Sequence, residues 1–138
     1  MSEAFLKTQI ISPDREIYSG NTEMVVLPGD DGDFAAMYEH APLITYLRPG
    51  KLEVISEKKK EKINFFVSGG FVKIQNNSCI VMVDYIRKIN DIDVKENENK
   101  ISDLLIKAEQ EKDQIIRDSL LIDIGLLRSE NQASIEVK

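Results

Sequence analysis

Short apolar segments separated by turn residues fill the first ninety positions of the sequence. Within these segments apolar and polar residues alternate, which is typical of β-strands with one buried face. The predicted strands are 5–12, 15–18, 22–27, 43–47, 51–57, 62–68, 71–75 and 79–85, with turns at 13–14, 19–21, 28–33, 49–50, 69–70 and 76–77. Many short strands at this spacing predict an antiparallel β-sandwich or a flattened barrel.

A helical pattern replaces the strands from Asp91 onward. Asp93, with Glu96 three residues later, has the spacing of a capping box, and two apolar stripes follow at helical spacing. The stripes are Ile101, Leu104, Leu105 and Ala108, then Ile116, Leu120, Ile124 and Leu127. An antiparallel helical hairpin would let each stripe cover the other. Because no Gly or Pro marks a turn, one continuous helix from Asp93 to about Asn131 is open as well.

The predicted fold class is therefore mainly β plus α, with an N-terminal antiparallel β-sandwich over residues 1–90 and a C-terminal α-helical hairpin over residues 91–138. The second helix has more apolar residues than packing against one helix requires. These extra residues are Ile115, Leu121, Ile122 and Leu126. The simpler expectation is that they also lie on the sandwich, and the alternative is a second docking site for another protein. The end, residues 134–138, is expected to fray.

The segment from Val25 to Gly50 contains two Pro-Gly pairs and a third glycine. A predicted strand breaks at Pro28-Gly29 into an acidic turn, residues 30–33, and a second turn follows the strand 43–47. The path of such a segment is fixed by turn chemistry rather than by core burial, so it is expected to present a surface to a partner.

The net charge of −6 lies almost entirely in the predicted tail. Residues 1–90 hold 12 acidic and 11 basic side chains, whereas residues 91–138 hold 12 acidic and 7 basic ones. Nucleic-acid binding needs clustered Lys and Arg, so no nucleic acid is expected as a partner. The one basic cluster is Lys58, Lys59, Lys60 and Lys62. It lies between two predicted strands and indicates a solvated hairpin tip.

Groups suited to catalysis or metal binding are sparse. One cysteine, Cys79, and one histidine, His40, provide neither a nucleophile with its base nor a zinc site, and Cys79 is expected to be a buried, unreactive thiol. Asp30, Asp31 and Asp33 have part of the spacing of a calcium loop, but the required bidentate Glu does not follow. No catalytic site and no metal site are predicted.

The sequence also lacks an apolar run long enough to span a bilayer and an N-terminal secretory signal. The chain is therefore expected to stay in the compartment where it is made.

Several motifs resemble one known family. The matching residues are Gly29, Gly32-Asp33-Phe34, His40-Ala41-Pro42-Leu43-Ile44-Thr45, Arg48-Pro49-Gly50, Val67–Ile74 and Ile80–Asp84. In type and spacing these residues resemble the motifs of the epsilon subunit of the rotary, F-type ATP synthase. The segment Ala35–Glu39 departs from the family pattern, since it stands where the family has a glycine pair and a proline.

The resemblance implies a non-catalytic subunit of the central stalk, without an active site of its own, that couples the gamma subunit to the c ring. By the resemblance, Gly29, Gly32, Asp33, His40 and Arg48 face the c ring, and another edge of the sandwich holds gamma. His40 has a second interpretation, in which its ring binds a backbone carbonyl and orders the turn. The implied location is the cytoplasmic face of the bacterial inner membrane, with membrane association only through the complex.

The resemblance further implies a regulatory tail that meets the alpha/beta catalytic head transiently. ATP-binding members of the family have an Arg-Ala pair after a motif that matches Ile92-Asp93, but Glu96-Asn97 stands there, so no cofactor is expected and ATP binding is expected to be weak or absent. The second helix has only Arg117 and Arg128 against several acidic residues. Because the head surface is acidic in the family, the tail is expected to be a poor brake on ATP hydrolysis.

A competing interpretation of the sequence is a free-standing β-sandwich that binds a small ligand or a peptide. In that case the helices would form a dimerisation arm.

Overall fold

The computed structural model describes residues 4–58 and 60–137. Within these residues the strands are β1 (Leu6–Ile11), β2 (Glu16–Gly29), β3 (Gly32–Ala36), β4 (Leu43–Tyr46), β5 (Gly50–Ser56), β6 (Lys62–Gln75) and β7 (Ser78–Lys88). A 3-10 turn, Ile89–Asp91, leads into helices α1 (Val94–Gln110) and α2 (Gln114–Val137). The chain forms two compact units, one ending at Lys88 and the other beginning at Ile89.

The strands of the first unit form one sheet that closes on itself. Their order is β1-β7-β6-β5-β2-β3, β1 also pairs with β2, and β4 pairs with β6. This architecture confirms the predicted β-sandwich or flattened barrel. The pairing of β1 with β7 was not predicted, and these two strands run parallel. Parallel neighbours cannot be joined by a tight turn, so turn signals in the sequence do not reveal them.

Alternate residues of the strands point into one continuous core. Its fully or nearly fully buried members include Leu6, Ile10, Val25, Leu27, Leu52, Val54, Phe65, Val67, Val72, Ile74, Val81 and Val83. Burying each large apolar side chain contributes roughly 1.5–3 kcal/mol. Cys79 belongs to the same cluster, and burial raises the pKa of its thiol to about 12. The thiolate is therefore scarce at neutral pH, which confirms the predicted unreactive cysteine.

Two predicted turns are wrong because their glycines lie inside long strands. β2 continues through Gly20, and β6 continues through Gly69 and Gly70. In β6 these two glycines stand where the strand changes one of its neighbours, from β5 to β4. They permit a bend and a close approach of β7 rather than a reversal of the chain.

The predicted break at Pro28-Gly29 is also wrong, since both residues belong to β2 and pair with β3. The reversal comes at Asp30 and Asp31, which form a two-residue turn before Gly32. The predicted turn at Asn76-Asn77 is confirmed. Both asparagines have positive φ, 53° and 60°, as the tight hairpin between β6 and β7 requires.

The lysine cluster lies between β5 and β6 as predicted, although Lys59 is outside the described residues. Lys58, Lys60 and Lys62 are exposed. The Lys60 ammonium donates to a carboxylate oxygen of Glu23 at 2.7 Å. These contacts confirm a solvated hairpin tip.

The tail is a hairpin, and the alternative of one continuous helix is wrong. Asp93 caps α1 by accepting from the Glu96 N–H at 3.0 Å, as predicted. α1 ends at Gln110, and Asp113 caps α2 by accepting from the Ile115 N–H at 2.9 Å. The Asn97 amide near the start of α1 donates to Asn131 near the end of α2 at 3.0 Å, so the helices are antiparallel. An N-cap aspartate, rather than a Gly or Pro, marks this turn.

Three of the extra apolar residues of α2, Ile115, Leu121 and Ile122, are exposed by 81%, 47% and 71%, and Leu126 is half-buried. Their packing on the sandwich stays a prediction, whereas the expected fraying of the end of α2 is wrong. The last residues do not fray within the described chain, because α2 continues to Val137 and Ser134 is fully buried. Lys138 lies outside the described residues.

Candidate functional site

The residues predicted to face the c ring lie together at one end of the β unit, which we call the acidic tip. It comprises the β2–β3 hairpin from Gly29 to Asp33, together with His40 and Arg48. Gly29 pairs with Gly32 across the hairpin and forms an isolated bridge with Leu47, next to Arg48. His40 joins the group through Phe34, whose ring centroid lies 6.2 Å from that of the imidazole.

Backbone hydrogen bonds fix the tip to β4 and to the turn after it. The Asp30 N–H donates to the Tyr46 carbonyl at 2.9 Å, and the Arg48 N–H donates to the Pro28 carbonyl at 2.9 Å. A Cβ at Gly29 would lie 2.8 Å from the Phe34 ring and from the Gly32 carbonyl oxygen, so glycine is required there. The hairpin is therefore held rigidly even though its side chains are exposed.

The tip has an excess of negative charge. The Arg48 guanidinium forms an ion pair with the Asp33 carboxylate, whose side chain remains 66% exposed. An exposed pair of this kind contributes only about 0–1 kcal/mol, so its main effect is to orient both groups. Asp30 and Asp31 are exposed as well, and none of the ion pairs described involves them.

His40 binds a backbone carbonyl, as one of its two interpretations predicted. Its Nδ1 lies 2.7 Å from the Ala41 carbonyl oxygen and so acts as the donor, which leaves Nε2 for other contacts. The preceding Glu39 has a left-handed backbone, φ 67°, and its N–H donates to the Asn77 side chain at 2.7 Å. That bond holds a conformation that costs a non-glycine residue about 1–2 kcal/mol. Contact between His40 and a partner stays a prediction.

The predicted tail residues are not brought together. Ile92 is buried and Asp93 caps α1 at the open end of the hairpin. Arg117 lies at the closed end, where its guanidinium donates to the Glu111 carbonyl. Arg128 lies on a shallow groove between the helices with Glu98 and Asn131. The two cations therefore do not meet Asp93 at one ligand site.

One surface was missed by the sequence analysis and is named here the apolar row. It consists of Ile44 and Tyr46 on β4, Phe71 on β6 and Met82 on β7, which are 68%, 71%, 37% and 42% exposed. Tyr46 pairs with Phe71, which pairs with Met82, so the row crosses three strands. Exposed polar residues, Lys73 and Gln75 on β6 and Asp84 on β7, also lie on these strands, so no single strand indicates the row by itself.

No cluster of at least three His, Cys, Asp or Glu residues able to hold a metal occurs in the described part of the chain. Within residues 4–58 and 60–137, no helix is long and apolar enough to cross a bilayer.

A closed β unit with an acidic tip and an exposed apolar row, followed in sequence by a helical hairpin, has the features of a chain that docks on other proteins. A family model described as the β-sandwich domain of the ATP synthase delta/epsilon chain matches residues 5–89. The chain belongs to this family, and it is an accessory chain of the ATP synthase without an active site of its own.

Two relatives agree with this assignment. The ATP synthase epsilon chain of Maricaulis maris is 32% identical over 114 residues, which cover 79% of this chain and 84% of the relative. That of Rhodospirillum rubrum is 42% identical over 76 residues, 55% of this chain and 56% of the relative.

Two solved structures share the fold. A chain in the Euglena gracilis mitochondrial ATP synthase is similar with a TM-score of 0.79 at 18% identity, covering 96% of this chain and 83% of the other. A chain in the central stalk and c-ring structure from Tetrahymena thermophila has a TM-score of 0.63 at 17% identity, covering 94% and 96%. At such identities the likeness establishes the fold alone.

Proposed function

We propose that this chain is the epsilon subunit of the central stalk, where it joins the gamma subunit to the c ring so that rotation driven by proton flow reaches the alpha/beta head. The observation that carries the proposal is the presence of two separate exposed surfaces, the acidic tip and the apolar row, on one closed sheet. Membership of the family favours this function over a free-standing ligand-binding module. The proposed location is the cytoplasmic face of the bacterial inner membrane, as a peripheral part of the complex.

The apolar row is the proposed gamma surface. Exposed aromatic and methionine side chains are enriched at protein interfaces, where a few such residues supply most of the binding energy. The row spans about 10 Å across three strands, the width of a small interface core. Its side chains stand on three paired strands, β4 on β6 and β6 on β7, so binding orders little that is not already ordered.

The acidic tip is the proposed c-ring surface. It is polar and exposed, and its backbone is fixed by the hydrogen bonds to Tyr46 and Pro28. Because Tyr46 contributes its side chain to the apolar row and its carbonyl to the tip, the two surfaces share one strand. A force applied to either surface therefore passes through paired backbone rather than through a flexible loop.

Replacing both Tyr46 and Phe71 by Ser is expected to weaken binding to purified gamma by about a thousandfold, since two hot-spot aromatic residues at about 2 kcal/mol each contribute about 4 kcal/mol together. Isothermal titration of the full chain against gamma measures this effect. Tyr38→Ser is the matched control, because Tyr38 is 40% exposed but lies beside the acidic tip. Parental affinity in the double variant, with an unchanged circular dichroism spectrum, would contradict the gamma assignment.

The tail is proposed to bind ATP weakly or not at all. Glu96, at the position where ATP-binding members have Arg, lies 3.6 Å from the Lys100 ammonium, and the Asp93 carboxylate is occupied as a helix cap. A phosphate group of ATP would face the Glu96 carboxylate, which repels it, rather than a guanidinium, which would bind it.

Removing residues 91–138 is expected to leave steady-state ATP hydrolysis by the assembled complex within about twofold of the parental rate, because an acidic α2 is repelled by an acidic head surface. Activation of hydrolysis by several-fold on truncation would refute the proposal that the tail inhibits only weakly.

Weak or absent ATP binding is tested separately by thermal unfolding of the full chain. The midpoint temperature with ATP should equal the midpoint without it.

A further inference from the structure

The side of α2 that faces away from α1 has a seam of four residues, the apolar Ile115, Ile122 and Leu126 with the exposed polar Ser119 between the first two. The residues follow one another at spacings of four, three and four, the repeat of a helix that packs along another helix. At about 100° per residue they share one narrow arc of the helix, roughly 150° away from Asn131, which contacts α1. Ile115 and Ile122 are 81% and 71% exposed.

Acidic side chains border this α2 seam on both sides. Asp118 lies on one flank and Asp123 on the other, and both are exposed. Asp118 accepts from the Gln114 side chain at 2.7 Å, and no ion pair involves either carboxylate in the described part of the chain. The cations of α2, Arg117 and Arg128, lie on the opposite side of the helix, toward α1.

We propose that the α2 seam is a docking site for a basic amphipathic helix of another protein. The partner helix has apolar residues in a seven-residue repeat, which pack on Ile115 and Ile122, and Lys or Arg residues beside them, which face Asp118 and Asp123. A second copy of this chain does not fit, because it would bring the aspartates of both copies together at the edges of the contact. The inference is independent of the surfaces assigned to gamma and to the c ring.

Fluorescence anisotropy of synthetic labelled peptides added to the full chain tests the proposal. The probe is an amphipathic helix with Leu in a seven-residue repeat and Lys at the flanking positions. Comparison peptides have Glu in place of every Lys, or the same composition in scrambled order. The lysine helix is expected to bind at least about tenfold more tightly than either comparison peptide, and more weakly when salt is raised from about 50 mM to about 500 mM.

Variants of exposed residues locate the binding on the molecule. Ile122→Ser should weaken binding of the lysine helix by about tenfold or more, whereas Ile106→Ser on α1, which removes a side chain that is 54% exposed, should not change it. Replacing Asp118 and Asp123 together by Lys should reverse the preference in favour of the glutamate helix. The proposal is overturned if the scrambled peptide binds equally well, if charge reversal leaves the preference unchanged, or if the chain self-associates through Ile122.

Discussion

Gly70→Ala is expected to unfold the β unit or to lower its free energy of unfolding by at least about 4 kcal/mol, a large part of the roughly 5–15 kcal/mol that stabilises a typical domain. A Cβ at this position would lie 2.0 Å from the Met82 carbonyl oxygen and 2.9 Å from the Val83 Cα. Both atoms belong to the backbone of β7, which pairs with β6 at this point. Neither can move without breaking that pairing. Urea denaturation followed by far-ultraviolet circular dichroism measures the change.

Gly32→Ala separates this overlap from backbone strain. Gly32 also has a positive φ, 134°, but a Cβ there would meet no atom within 4 Å among the described residues. Strain alone costs about 1–3 kcal/mol, so Gly32→Ala should remain folded. Equal urea midpoints for the two variants would show that β6 and β7 do not approach as closely as described.

Phe65→Ala is expected to lower the free energy of unfolding by about 3–5 kcal/mol, because it leaves a cavity that the closed sheet cannot fill. Phe65 is 2% exposed, belongs to the core cluster, and stands between Leu52 on β5 and Lys88 on β7. The midpoint and slope of urea unfolding provide the measurement, and an unchanged slope shows that the unfolded state is the same.

Phe71→Ala on the same strand is the matched control. Phe71 points to the opposite face of the sheet and is 37% exposed, so its loss should cost about 1 kcal/mol or less. A core variant should thus lose stability, and a variant of the apolar row should lose gamma binding while remaining folded. A comparable loss of stability in both variants would contradict the assignment of Phe71 to a docking surface.

Most of the fold could be predicted from the sequence because local signals were sufficient. Alternation located the strands, and the Asn76-Asn77 pair located a hairpin. The glycines of β6 misled the prediction, since the same lack of a side chain permits either a reversal or a close strand approach. The choice between these depends on β7, which no local pattern around Gly70 reveals.

The candidate site was predictable only in part. Turn residues indicated the acidic tip, and the ion pair between Asp33 and Arg48 follows from a contact across the chain that spacing cannot show. The apolar row was missed because each strand looks like an ordinary apolar strand by itself. The three side chains Tyr46, Phe71 and Met82 form one surface only because the register of β4, β6 and β7 places them side by side.

The parallel pairing of β1 with β7 has a consequence for how the subunit is made. Lys7 leaves the ribosome well before Ser78, its partner in the sheet, has been synthesised. The barrel therefore cannot close until nearly the whole β unit has emerged, and pairings between such distant residues form slowly. Until then the nascent chain exposes open strand edges. Its surfaces for other subunits are complete only after β7 has paired with β1.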